Sequence, residues 1–308
     1  MRRSLGIAVV AFAAALWGLD SLIRGPLAKT TTPTTIVFGE HLVLVALTLP
    51  FAAAALAAVV RLGWRHVLAA IAIGAGASAV ATILYTQALF SHYDFVTPAV
   101  LQKTQPIFAL LGAMVVLGER PRRSYAIYFV AALLGTWFMG LKHPFHPEAH
   151  GLVTMGYALG AAFLWGIGTV FGRYLARDMR FEHVATLRFM FGLAASAIAL
   201  LVLGVPAFAS WHDSFWIAVL ALVTGFAAMF LYYYGLRSTP AIAATLAELA
   251  FPITAALVGY FKFGQALTGW QWAGLALTSV VVALLPVRLP DTVETRPHAH
   301  FVTEPAPG

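Results

Sequence analysis

Five ionisable side chains fall inside long apolar stretches of this chain: Asp20, Glu40, Lys103, Arg188 and Glu248. A charge near the middle of a membrane-crossing helix costs about 2.5–3.5 kcal/mol on insertion scales, so such groups face a bundle interior or a water-filled cavity. Left isolated, the five would together cost roughly 10 kcal/mol or more, so they must be paired, hydrated or neutralised. The chemistry open to them is ion pairing, solute binding and proton exchange. Glu248 is the best candidate for proton exchange, because a carboxyl group buried in apolar surroundings can gain and lose a proton near neutral pH. A nearby Lys103 would oppose that role.

The elements that must position these groups are helices in a membrane. The chain is 61% hydrophobic and 10% charged, with a mean hydropathy of +0.85, far from the roughly 25% charged residues of soluble domains. Ten apolar runs, at 5–23, 35–60, 67–90, 95–117, 124–141, 151–172, 183–204, 215–236, 240–262 and 269–287, each suffice to cross a hydrocarbon core as a helix. They are continuous and do not alternate with period two, which excludes a β-barrel. Arg2 and Arg3 before an apolar run imitate a leader peptide, but no small-residue cleavage site precedes Arg24, so the first helix is expected to be retained. The absence of cysteine excludes disulfide and thiol chemistry in this sequence.

The central part of the sequence occurs twice. Ala14-Ala15-Leu16-Trp17-Gly18 returns as Ala162-Phe163-Leu164-Trp165-Gly166, Leu84-Tyr85 as Leu231-Tyr232, Pro106 as Pro252, and Leu117-Gly118-Glu119 as Phe263-Gly264-Gln265. The offset drifts only from 148 to 146. Five helices per copy is an odd number, so the second copy enters the membrane from the opposite face. The expected fold is an all-α integral membrane protein with ten transmembrane helices in two inverted five-helix repeats, 1–141 and 151–287. An extracytoplasmic linker at 142–150 joins them, and a disordered cytoplasmic tail at 288–308 follows.

The net charge of +7 reflects topology, not nucleic-acid binding. With the N-terminus in the cytoplasm, thirteen arginines lie on the inner side, among them Arg2, Arg3, Arg61, Arg65, Arg120, Arg177 and Arg288. Only Arg24, Lys29, Lys142 and Lys262 lie outside, which places both termini in the cytoplasm.

Repeat symmetry and helical geometry group the intramembrane polar residues. Asp20 and Arg24 are one turn apart on the first helix and can pair, as an interfacial bridge or as a gate. Glu40, followed by His41, occupies the place that Arg188 has in the second copy. The two can form a structural ion pair or serve coupling and gating. Gln102 aligns with Glu248, Gln102 and Gln105 share a face, and Lys103 is turned from them by about 100°. Pro98, Pro106 and Pro252 can kink these helices and free carbonyls toward a cavity. Gln102, Lys103, Gln105 and Glu248 are therefore the expected solute contacts, or else a packed polar network that joins the two halves. Trp17, Tyr85, Trp165 and Tyr232 supply apolar walls, or else core packing beside Gly18 and Gly166. Small residues one turn apart, Gly156 with Gly160 and Ala70 with Gly74 and Ser78, allow close helix approach. His143, His146 and His150 fit no metal-site spacing, so neither metal nor cofactor is expected.

The paired Leu-Trp-Gly signatures and the Leu-Gly-Glu at 117–119, set in ten helices and two repeats, resemble the drug/metabolite transporter superfamily in its EamA-like ten-helix branch. The resemblance covers residues 5 to 287. It implies a secondary transporter in a bacterial cytoplasmic membrane, commonly an exporter of amino acids, metabolites or small drugs. The sequence departs from the family in having Glu40 where an Arg is common, Gln265 where a Glu is common, and Glu248 four residues before Pro252 instead of beside it.

Mixed intramembrane charges favour a small polar or zwitterionic solute, with amino acids or their derivatives first. No phosphate-binding loop, zinc-protease or serine-hydrolase motif is present, so the driver is a proton or an exchanged counter-solute, not ATP, and an intramembrane enzyme is disfavoured. A passive channel or facilitator is the alternative. The expected partners are the solute and the lipid bilayer, with the protein acting as a monomer or homodimer.

Overall fold

The structure is a computed structural model that describes residues 3–27, 29–90, 101–121, 123–141, 143–145, 152–264, 266–288 and 293–295. It is helical almost throughout, as the continuous apolar runs require. The first run is two helices, α1 (Arg3–Trp17) and α2 (Asp20–Leu27), broken at Gly18-Leu19. Helix α3 (Pro33–Leu62) starts at Thr32, whose hydroxyl accepts from the Thr35 amide, and stops at Gly63, whose φ of 98° ends a helix without a Cβ penalty. Helix α4 (Trp64–Ile71) continues through a π-helical segment, Ala72–Val80, into α5 (Ala81–Phe90). A 3₁₀ turn at Gln102–Thr104 leads into α6 (Gln105–Val116), and α7 (Arg123–Gly140) follows.

The second half runs through α8 (Leu152–Asp178) and α9 (Phe181–Leu203). Helix α10 (Trp211–Leu220) passes through a π-helical segment, Ala221–Ala227, into α11 (Ala228–Leu236). Helices α12 (Ala241–Ala247) and α13 (Ala250–Phe263) are separated at Glu248-Leu249, and α14 (Gly269–Arg288) closes the set. Three residues of the segment expected to be a disordered tail, Val293–Thr295, form strand β2, antiparallel to β1 (Glu119–Pro121) with Glu119 opposite Thr295.

Among the described residues, seven helical segments are long and apolar enough to cross a membrane: Ser4–Leu27, Pro33–Leu62, Trp64–Ala88, Met155–Asp178, Phe181–Leu203, Trp211–Leu236 and Ala241–Lys262. Gln105–Val116 and Gly269–Leu285 are apolar but shorter. Large apolar side chains such as Val115, Leu201 and Val202 lie on the outside, as lipid contact requires and water would penalise.

Helix contacts keep their identity when the two halves are exchanged. Helix α3 packs on α9 and α7 on α14, each pair equivalent in sequence, while α1 against α13 matches α8 against α6. Glycines set the closest approaches. A Cβ on Gly274 would lie 2.3 Å from the Met139 amide nitrogen, and one on Gly74 would lie 2.4 Å from the Phe191 Cβ. Gly156, expected at such a contact, faces open space, and Gly160 has only ordinary contact with Leu84.

Candidate functional site

Both prolines break their helices at the same place. Pro252 has no amide to offer the Glu248 carbonyl, which accepts instead from the Phe251 amide at 3.0 Å. Pro106 leaves Gln102 in the equivalent position, where its carbonyl accepts from the Gln105 amide in a 3₁₀ turn. Glu248 and Gln102 thus sit at two matching kinks, and both side chains line one cavity of about 620 Å³ between the halves.

The walls of that cavity explain the repeated Trp-Gly signature. Trp17 of the first half packs against Tyr232 of the second, ring centroids 5.0 Å apart and planes tilted by 48°, and Trp165 of the second against Tyr85 of the first at 5.1 Å and 59°. These are the same pair with the halves exchanged. The adjoining glycines bring the partner helices close. A Cβ on Gly18 would lie 2.8 Å from the Phe251 carbonyl oxygen, and one on Gly166 would lie 2.9 Å from that of Gln105, its equivalent. Both tryptophans line the cavity, and both glycines sit at close helix approaches.

Glu248 gathers three donors at the floor. Its Oε1 accepts from the Tyr232 hydroxyl at 2.8 Å and the Thr169 hydroxyl at 2.9 Å, and its Oε2 from the Gln105 amide at 2.6 Å. Gln102 lies beside them, buried, with Oε1 unpartnered. The four expected contacts converge here except Lys103, whose side chain lies outside the described residues. Thr169, Thr245 and Ser78 also line the cavity and were not expected. Thr169 follows Trp165 by one turn on the same helix face, and that spacing was the available signal.

The other end is a mouth, lined by exposed Pro26 and Lys29. There Arg24 bridges two carboxylates. Its Nε donates to Asp20 Oδ2 at 2.5 Å and its Nη2 to Glu40 Oε1 at 2.8 Å, tying α2 to α3. The expected Asp20–Arg24 pair therefore forms, and it recruits Glu40. The Glu40–Arg188 pair does not form, because Arg24 is nearer to Glu40. Arg188 instead donates to the Tyr233 hydroxyl at 3.2 Å and to the Ala77 carbonyl at 3.3 Å. His41 Nδ1 sits 2.7 Å from the Val37 carbonyl, which fixes the proton there and leaves Nε2, 2.9 Å from Ser78 Oγ, as an acceptor.

Glu119 ties the end of α6 to the start of α12. Gly118, at φ 64°, turns the chain out of α6, and the buried Glu119 carboxylate then accepts from the Ala241 and Ile242 amides, both at 3.0 Å. Arg177 Nη2 adds a contact at 3.3 Å. Burial pushes the Glu119 carboxyl above its ordinary value, against the two amides and Arg177, which favour the ionised form. The Tyr125 hydroxyl donates to the Ile242 carbonyl, and Arg173 donates to the Leu236 and Arg237 carbonyls. Gln265, the counterpart of Glu119, lies outside the described residues.

Comparison with known proteins agrees with this architecture. Residues 152–286 match the model of the EamA-like transporter family. The riboflavin transporter ImpX of Fusobacterium nucleatum is 30% identical over 296 residues, covering 90% of this chain and 96% of that protein. The uncharacterized transporter YwfM of Bacillus subtilis is 29% identical over 64% of this chain and 65% of its own length. A solved crystal structure superposes with a TM-score of 0.72 over 94% of this chain and 98% of the other, at 20% identity, which establishes a shared fold. The chain belongs to the EamA-like transporters of the drug/metabolite transporter superfamily, and is a multi-pass membrane transporter of a small molecule.

Proposed function

We propose that this transporter carries riboflavin or a closely related flat heteroaromatic solute by alternating access. The observation that carries the reading is the cavity wall, where Trp17–Tyr232 and Trp165–Tyr85 offer two aromatic pairs above a hydrogen-bonding floor. Rings of this kind stack on a planar solute, at about 1–3 kcal/mol for each base-sized ring. A volume of about 620 Å³ is ample for a three-ring solute with a short polyol tail. The 30% relative named for riboflavin supports the same class.

A flavin is preferred over the zwitterion that the mixed charges suggest. Glu40 is paired with Arg24, so its charge is met within the protein, and two of the three guanidinium nitrogens of Arg188 donate to the Tyr233 hydroxyl and the Ala77 carbonyl, which leaves only Nε to offer a solute. Glu248 alone presents a carboxylate to the floor, already holding three donors.

In this reading ten transmembrane helices form two inverted five-helix repeats that rock about the cavity, with both termini in the cytoplasm of a bacterial cell. The exchange symmetry of the aromatic pairs and of the helix contacts supports it. Asp20, Arg24 and Glu40 form the outer gate, the Glu119 contacts form the closed inner gate, and Glu248 is the group that a proton reaches when solute leaves. His41 and Arg188 brace the wall between.

The test is riboflavin flux in proteoliposomes with and without a pH gradient. Saturable flux that responds to the gradient in wild type, and not in Glu248→Gln, is expected. No saturable flavin flux would reject the solute class, and a pore conducting from both sides at once would reject alternating access in favour of a passive facilitator.

A further inference from the structure

The floor of the cavity holds hydrogen-bonding groups that the protein leaves unused. Gln102 Oε1, Thr245 Oγ1 and Arg188 Nε are buried without a partner, on residues 7%, 1% and 9% exposed, and all three residues line the cavity. Buried polar groups in native proteins are almost always satisfied, so three together call for an explanation. The neighbouring carboxylate of Glu248, by contrast, is well satisfied.

Their arrangement has a chemical sense. Thr245 and Glu248 are three residues apart at the end of α12, hence on one face, and Gln102 and Gln105 are three apart at the start of α6. The 2.6 Å bond from Gln105 to Glu248 Oε2 joins the two helices, and Gln102 and Thr245, each three residues before one end of that bond, line the same cavity. A carboxylate has about four acceptor positions, and Glu248 has filled three of them. What remains is acceptors at Glu248 Oε2 and Gln102 Oε1, a donor at Arg188 Nε, and a hydroxyl at Thr245 that can donate. The complement is a solute edge reading acceptor, donor, acceptor, which is the edge of a cyclic imide: carbonyl, N–H, carbonyl.

We infer that the floor is a recognition subsite for a cyclic-imide edge, with Gln102 and Thr245 as its specificity-determining residues. The inference rests on the heteroaromatic reading above and deepens it. The solute lies ring-first, imide at Glu248 and rings between the aromatic pairs. Its flexible tail points to the Asp20–Arg24–Glu40 mouth. Solutes with an intact ring but a blocked imide nitrogen stack equally well and lose the floor.

The experiment is equilibrium binding to the full chain in lipid nanodiscs, read by quenching of flavin fluorescence. The probes are riboflavin and N3-methylriboflavin, which differ only at the imide nitrogen. Wild type is expected to bind the methylated probe at least about tenfold more weakly, as sites built to bond an N–H do. Gln102→Ala and Thr245→Val should weaken riboflavin by about tenfold and leave the methylated probe unchanged, the non-additivity that marks a direct contact. Thr245→Ser should restore discrimination, which a merely structural role for Thr245 would not predict and which serves if the valine variant fails to fold.

Equal binding of the two flavins overturns the subsite while the flavin reading stands. If no flavin binds, lumazine and its N3-methyl derivative, monitored by calorimetry, decide. Binding of lumazine alone keeps the subsite and rejects the flavin, and binding of both or neither rejects the subsite.

Discussion

The two halves of this protein agree in their packing residues and differ in their polar ones. Gly18 and Gly166 seat helices on matching carbonyls, Pro106 and Pro252 kink matching turns, π-helical segments occur at Ala72–Val80 and Ala221–Ala227, and Gly118 and Gly264 turn out of helices at φ 64° and 63°. Against that frame, the counterpart of Gln102 is Glu248, that of Glu40 is Arg188, and that of Gln105 is Phe251. Under the alternating access proposed above, each half takes the other's place as the cavity changes sides, and equivalent hinges and contacts are needed in both. A solute, by contrast, has two different ends. The departures from symmetry are therefore where binding chemistry is expected, and all six of these residues line the cavity.

The largest effect should come from exchanging the mismatched pair. Glu248→Gln replaces an acceptor of three hydrogen bonds with a carboxamide whose amino group must face one of the donors. Transport kcat/KM should fall about 100-fold, equivalent to about 2.7 kcal/mol. The double variant Gln102→Glu, Glu248→Gln moves the carboxylate to the other kink, where Tyr85 is the counterpart of Tyr232. If the halves are interchangeable, the double variant should be more active than the Glu248→Gln single. A double variant no better than the single would mean that the symmetry of the frame does not extend to the floor.

Next in size are the matched glycines. Leucine at Gly18 meets the Thr254 Cβ at 2.4 Å, and leucine at Gly166 meets Gln105 and Ala109 backbone atoms at 2.9 and 3.0 Å. Either should destabilise the protein by about 1–3 kcal/mol through overpacking. Thermal unfolding in detergent checks this. A variant that unfolds like wild type would show that its helix contact is not part of the frame.

Much of this frame was legible in the sequence because packing and kinking leave local signatures. Trp17-Gly18 and Trp165-Gly166, the prolines and the Gly118 turn are all read from residue type and position, and repetition at a constant offset doubles each signal. Pairing of long side chains was not legible. Glu40 and Arg188 are equivalent in sequence, yet Glu40 pairs with Arg24 of α2, a contact between two helices that no periodicity or repeat offset encodes. Thr169, Thr245 and Ser78 were overlooked for a related reason. A single hydroxyl in an apolar helix costs little and most often bonds its own preceding turn, so nothing in composition separates a site threonine from a structural one. Glu119 was legible as a motif, but its purpose as a buried cap across two halves depends on the distant Ala241 and Ile242 amides.

A smaller effect separates the proposed inner gate from the mouth. Glu119→Ala leaves two amides and Arg177 without their acceptor, a loss of about 1–3 kcal/mol at that gate alone. The sequence contains no cysteine, so a single Met229→Cys on the cavity lining reports access cleanly. A membrane-impermeant thiol reagent applied from the Glu119 side should alkylate it about fivefold faster or more in the Glu119→Ala background. An unchanged rate would place the barrier elsewhere and leave Glu119 as a helix cap only.

The smallest effect tests the walls. Trp17→Phe and Trp165→Phe shrink one ring of each aromatic pair while keeping a flat apolar surface, so each should weaken solute affinity by about 0.5–1.5 kcal/mol, or roughly two- to tenfold. The pairs are the same contact with the halves exchanged, at 5.0 and 5.1 Å, so the two losses should be alike in a solute lodged between them. Unequal losses would sharpen the comparison: a loss confined to Trp17 would place the solute ring against Tyr232, next to Glu248, and make the Trp165–Tyr85 pair mere packing. Because Gly18 and Gly166 are untouched, unfolding temperatures should stay at the wild-type value, which separates the wall from the frame it stands beside.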